Sequence, residues 1–101
     1  MSTKKDYVVV LTFDLLNKPE TKFYSQIKTQ LKTLDLLKTD LFPGNIFIGT
    51  FPIEDYDDAS QLKDTLSSQV KEIFKGKQLD AKYLLVVGED WDGIVKIVKN
   101  T

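Results

Sequence analysis

Three side-chain types are missing from the 101 residues: cysteine, histidine and arginine. Without cysteine there are no disulfides and no thiolate metal sites. Without histidine the chain lacks the commonest general base and the commonest metal ligand. The familiar histidine-assisted Ser, Cys and Thr nucleophiles are therefore excluded. Any catalysis must run on carboxylates, lysine, hydroxyls or backbone groups, and any metal must be a hard ion held by oxygen. Without arginine there is no planar fork for bidentate contacts to phosphate or base edges. All fourteen basic residues are lysines, the formal net charge is -1 and the pI is about 5.3, a balance unlike that of a strongly basic nucleic-acid binder.

Phosphate-loop and dinucleotide glycine patterns are absent, as is an EF-hand loop. Met1 to Asp6 is polar, with no apolar stretch of the signal-peptide kind. No apolar run approaches the roughly 20 residues that cross a bilayer. These features set the expectation of a cytoplasmic protein without a membrane partner.

What is present is globular: 42% hydrophobic and 29% charged. The length suits one domain, residues 1–101, with a modest core. Tyr7 to Phe13 is apolar at nearly every position and reads as a central strand ending in Asp14. Asn17, with Glu20 three residues on and Pro19 between them, resembles a capped helix start. Phe23, Tyr24, Ile27, Leu31 and Leu34 then form one face of an amphipathic helix. Lys18, Lys22, Lys28 and Lys32 fall on the other side. Leu36 to Phe42 is a weaker strand, joined through Pro43-Gly44 to a clear one at Asn45 to Phe51.

Asp58 with Gln61 repeats the cap pattern. Ala59, Leu62, Leu66, Val70, Ile73 and Phe74 make a second apolar stripe, with Gly76 as its stop. Tyr83 to Val87 is another strand apolar on both faces and is expected, with Tyr7 to Phe13, at the centre of the sheet. Ile94 to Val98 suggests a fifth strand, possible as an addition to a partner's sheet. The order strand, helix, strand, strand, helix, strand implies an α+β, ferredoxin-like sandwich with both helices on one face of an antiparallel sheet.

Three features could carry chemistry. Asp14 closes a central strand where it opens into a loop. In a two-fold dimer two copies could converge on a magnesium ion and activate water for phosphodiester cleavage. Alternatively Asp14 caps its own loop through backbone amides. The acidic stretches Glu54 to Asp58 and Glu89 to Asp92 read as solvated turns. Trp91, the only tryptophan, could stack on a base or anchor a partner, or fold over its own core or a dimer interface.

Tyr7 to Leu15 followed by Asn17-Lys18-Pro19 resembles the opening of small SinR-type proteins, relatives of the CRISPR-associated Cas-two nucleases. Asn45 to Gly49 is similar to their third strand, Ala59 to Leu66 to their second helix, and Ala81 to Gly93 to their ending. The likeness covers most of the chain in the same order, with an extra residue at Leu15-Leu16. It implies a ferredoxin-like homodimer and a metal-dependent endonuclease acting on RNA or DNA, with Asp14 as catalytic residue and magnesium ligand. The VapD ribonuclease toxins share the plan and the opening aspartate. On this reading Lys18 or Lys22 steers phosphate. The alternative is a non-catalytic dimeric adaptor or regulator, antitoxin-like or a scaffold.

Overall fold

The computed structural model describes residues 6–18, 20–39 and 46–89. The Pro43-Gly44 turn, Trp91 and the Ile94 to Val98 segment lie outside them. The described elements are β1 (Asp6–Leu15), α1 (Thr21–Lys32), β2 (Leu37–Lys38), β3 (Ile46–Pro52), a single 3-10 turn (Ile53–Asp55), α2 (Ala59–Gly76) and β4 (Ala81–Glu89). They form an antiparallel sheet in the order β2-β3-β1-β4. With two helices this is the expected α+β plan of ferredoxin-like type.

Alternation along β1 sorts its side chains. Tyr7, Val9, Leu11, Phe13 and Leu15 are buried, while their neighbours are half-buried or exposed. Phe47 and Phe51 of β3 join the buried set, and Ile27, Leu31, Leu62, Leu66, Val70 and Phe74 close it from the helices. Both helices therefore cover one face. At 3.6 residues per turn, the i, i+4 spacing of each stripe keeps its apolar groups on one side.

One expectation is corrected. β3, not β4, shares the centre with β1, and β4 is an edge strand among the described residues. Apolarity on both sides of a strand reports how its two faces are covered, not whether it has a lateral neighbour. The outer face of β4 is bare, with Leu84 60% and Val86 49% exposed. Of the strand expected over Leu36 to Phe42, the described residues form β2 at Leu37–Lys38.

The helix ends differ from expectation too. Glu20 is the residue before α1, with no side-chain cap bond, so Asn17 does not cap that helix. Asp58 does cap α2, accepting from the Gln61 amide at 2.8 Å, and Gln61 Oε1 accepts from the Asp57 amide at 2.6 Å. Gly76 is still helical. The stop is made instead by Gln78 at φ 55, just as Asp35 at φ 62 stops α1. In both, the next residue turns back to a helix carbonyl: Leu36 N–H to Leu31 O at 3.1 Å, and Leu79 N–H to Phe74 O at 3.0 Å. Each is a Schellman close whose following leucine is buried.

Two stability changes follow. Gln78 pays a steric penalty in the left-handed region that glycine avoids, so Gln78→Gly should stabilise the fold by roughly 0.5–1 kcal/mol. At Gly49 a Cβ would meet the Asp35 carbonyl oxygen at 2.5 Å and Phe51 and Leu36 side-chain carbons at 3.0 and 3.1 Å. The carbonyl belongs to the α1 close and cannot swing aside, so Gly49→Ala should destabilise by about 1–3 kcal/mol. Urea midpoints of the two variants measure both, and a neutral Gly49→Ala would show that this close approach is relaxed at little cost.

Candidate functional site

Asp14 is the last outward-facing residue of β1 before the strand ends at Leu15. Its cross-strand partner is Lys82 of β4, and the preceding outward pair is Thr12 with Leu84. Phe13 points the other way, into the core. These residues, with Tyr83, line a shallow cleft of about 220 Å³. Its floor is firm because Tyr83 Oη meets Ser67 Oγ at 2.5 Å, which ties β4 to α2.

The loop after β1 is held by other groups. Asn17 donates to Gln78 O at 3.2 Å and accepts from the Asp80 amide at 2.8 Å. Leu16 N–H reaches Asp80 O at 2.7 Å, and Leu15 N–H reaches the Tyr24 hydroxyl at 3.2 Å. Among the described residues no hydrogen bond or ion pair engages the Asp14 carboxylate. The capping role open to Asp14 is filled by Asn17.

Lys18 and Lys22 are not in the Asp14 cleft. Both ammonium groups sit over the Phe23 ring, at 5.8 and 5.0 Å from its centroid, a cation–π arrangement. The cation that the fold does set beside Asp14 is Lys82. Sequence reasoning missed it because the pairing depends on the β1–β4 register, which joins residues far apart in the chain. In the acidic stretch, Asp57 and Asp58 serve the start of α2.

No group of three metal-ligating side chains gathers among the described residues. The described residues of one protomer thus offer a single carboxylate to a cation in this cleft. No protein-family model matches the chain, and no curated protein and no solved structure does so either.

The division of labour between Asp14 and Asn17 is measurable. Asn17→Ala removes two hydrogen bonds that tie the loop to the end of α2 and should cost about 1 kcal/mol. Asp14→Asn should change stability by less than about 0.5 kcal/mol. Thermal or urea unfolding of the two variants checks this, and the reverse ranking would return the loop-capping role to Asp14.

Proposed function

We propose that the chain works as a symmetric homodimer of Cas-two-like type, a magnesium-dependent endonuclease on RNA or DNA with Asp14 at its centre. The observation that carries this reading is the position of Asp14 at the end of an open, apolar sheet face. Across that face, Leu37 pairs with Ile48, Ile48 with Val10, and Val10 with Val86. Ile46, Thr12 and Leu84 form the neighbouring row. A contiguous apolar face of this kind is ordinarily covered. A second copy packed on it about a two-fold axis sets the same patch against itself. With the axis running along the strands, the two Asp14 carboxylates would approach from the same end of their sheets.

The fit to a metal depends on that pairing. One carboxylate is a poor site, whereas two converging ones supply the charge that a hard divalent ion requires. Asp14 of each copy would hold the ion, and when bound magnesium supplies an activated water and charge stabilisation for phosphodiester cleavage. Lys82 would face the substrate phosphate from the neighbouring strand, as a compact point charge. Lys18 and Lys22 remain candidates for steering at longer range.

A specific observation also favours the second reading, a non-catalytic dimeric adaptor or regulator: among the described residues one acid, not a cluster, lines this cleft. Both readings use the same interface. Among the described residues no helix is long and apolar enough to cross a membrane, and we place the protein in the cytoplasm.

Two experiments test the proposal. Val86→Glu sets a charge on the open face without touching the core, so it should convert a dimer into a monomer at roughly 10 μM protein, read by sedimentation. A wild-type monomer at that concentration removes the interface. Asp14→Asn keeps the shape and loses the charge, so cleavage of RNA or DNA in magnesium should fall to background with the fold unchanged. Cleavage that survives in EDTA or in this variant removes Asp14 as metal ligand. A wild-type protein that cuts neither nucleic acid leaves the adaptor reading.

A further inference from the structure

The other side of the sheet carries a second feature, remote from Asp14. Two adjoining clefts of about 390 and 310 Å³ lie between α1 and β2 and share Ser25, Lys28 and Lys38. Thr29 and Lys32 line the first, and Thr21 lines the second. The helix supplies its polar groups as a ladder. Thr21, Ser25 and Thr29 are four residues apart, as are Lys28 and Lys32, so each step advances roughly 6 Å along the axis. Lys38 faces them from the sheet, because its pairing with Phe47 turns it to the helix side.

Among the described residues the charges in this groove are uncompensated. Among the described residues no carboxylate lines either cleft. None of the three ammonium groups has an ion-pair partner among the described residues, and the Thr21 and Ser25 hydroxyls have no hydrogen bond there. Thr29 Oγ1 donates to Ser25 O at 3.1 Å. In a chain of net charge -1, three close, unpaired cations create a local positive potential that an anion relieves.

We propose that this groove binds the sugar–phosphate backbone of a single nucleic-acid strand, independently of base sequence and of metal. Two in-line clefts fit a chain of phosphates better than one isolated phosphate. Lysine ammonium groups hold phosphate as point charges, and no guanidinium is present to read base edges. Among the described lining residues no ring is free to stack on a base: Phe47 is 1% exposed, and the half-buried Tyr24 stacks on Phe13 while its hydroxyl accepts from Leu15 N–H. The groove is thus equipped for the backbone alone. The inference rests on the reading of the protein as one that engages nucleic acid, but not on cleavage, since Asp14 faces the opposite side of the sheet.

The test is fluorescence anisotropy of a labelled oligothymidylate with the full chain in EDTA across a salt series. The triple variant Lys28→Gln, Lys32→Gln, Lys38→Gln should bind about tenfold more weakly or worse. Its slope of log affinity against log salt should be shallower by about 2, from three lost phosphate contacts on a single strand. Lys63→Gln, Lys71→Gln, Lys75→Gln on α2 removes the same charge elsewhere and should bind nearly as wild type does. The single variant Lys38→Gln, on a short edge strand, should show a smaller loss in the same direction and covers the case of a triple variant that circular dichroism shows to be unfolded. Amide shifts on titration should centre on Ser25, Thr29 and Lys38.

Absent binding by wild type, equal losses in the two triple variants, or shifts centred on Thr12 and Lys82 overturn the proposal. So does retention of inorganic tripolyphosphate without the oligonucleotide, which would make the groove a free-phosphate site. The two ideas fail separately. Strand binding lost in the groove variant of a protein that never cleaves supports the groove and sinks the nuclease. Normal binding by that variant, with cleavage lost in Asp14→Asn, does the reverse.

Discussion

Phe13 touches rings from three different elements: it stacks on Tyr24 of α1 at 5.6 Å and on Phe47 of β3 at 5.8 Å, and meets Phe74 of α2 edge-on at 5.3 Å. Phe74 in turn stacks on Tyr83 of β4 at 6.3 Å. One residue of β1 therefore ties both helices and, directly or through Phe74, both lateral neighbours together. Aromatic pairs in such geometries add about 0.5–1.5 kcal/mol each beyond the area they bury. The functional geometry depends on this cluster because Asp14 is the next residue. With Phe13 held inward, strand alternation turns Asp14 outward, and the strand cannot slip by one residue without exposing the whole aromatic set.

The same alternation gives the sheet two unlike faces. The inner one is closed by the helices. The outer one carries half-buried Val8, Val10, Ile46 and Ile48 and exposed Leu84 and Val86. An apolar outer face and a charged end where Asp14 stands across from Lys82 are consequences of one register. The proposed interface and the proposed site thus share one surface, and a partner seated on the first would affect the second. The lysine groove along α1 belongs to the helix side and is set by a different register, that of Lys38 against Phe47.

Functional chemistry in this chain has a narrow repertoire. With no histidine, cysteine or arginine, the polar groups that converge are carboxylate, ammonium and hydroxyl. A lone carboxylate beside one lysine has little catalytic reach by itself. The same pair duplicated across a two-fold axis has more, which is why assembly and activity are linked in the proposed function.

Much of the architecture is legible in the residues alone. The stripes Ile27–Leu31 and Leu62–Leu66–Val70–Phe74 announce helices, the run from Tyr7 to Phe13 announces a buried strand, and Asp58 with Gln61 announces the start of α2, because these signals are local and set by periodicity and by a single capping bond. The ordered alternation of strands and helices is enough for the α+β plan, and Asp14 stands out as an acid at a strand end. Other features were decided only in three dimensions. That β3 rather than β4 sits beside β1 at the centre depends on lateral pairing, which leaves no trace in the alternation of faces. That Asn17 braces the β1 loop against Gln78 and Asp80, that Gln78 rather than Gly76 ends α2, and that Lys82 stands beside Asp14 while Lys18 and Lys22 lie over Phe23 all depend on contacts between segments distant in the chain or on backbone angles that a residue type permits but does not dictate.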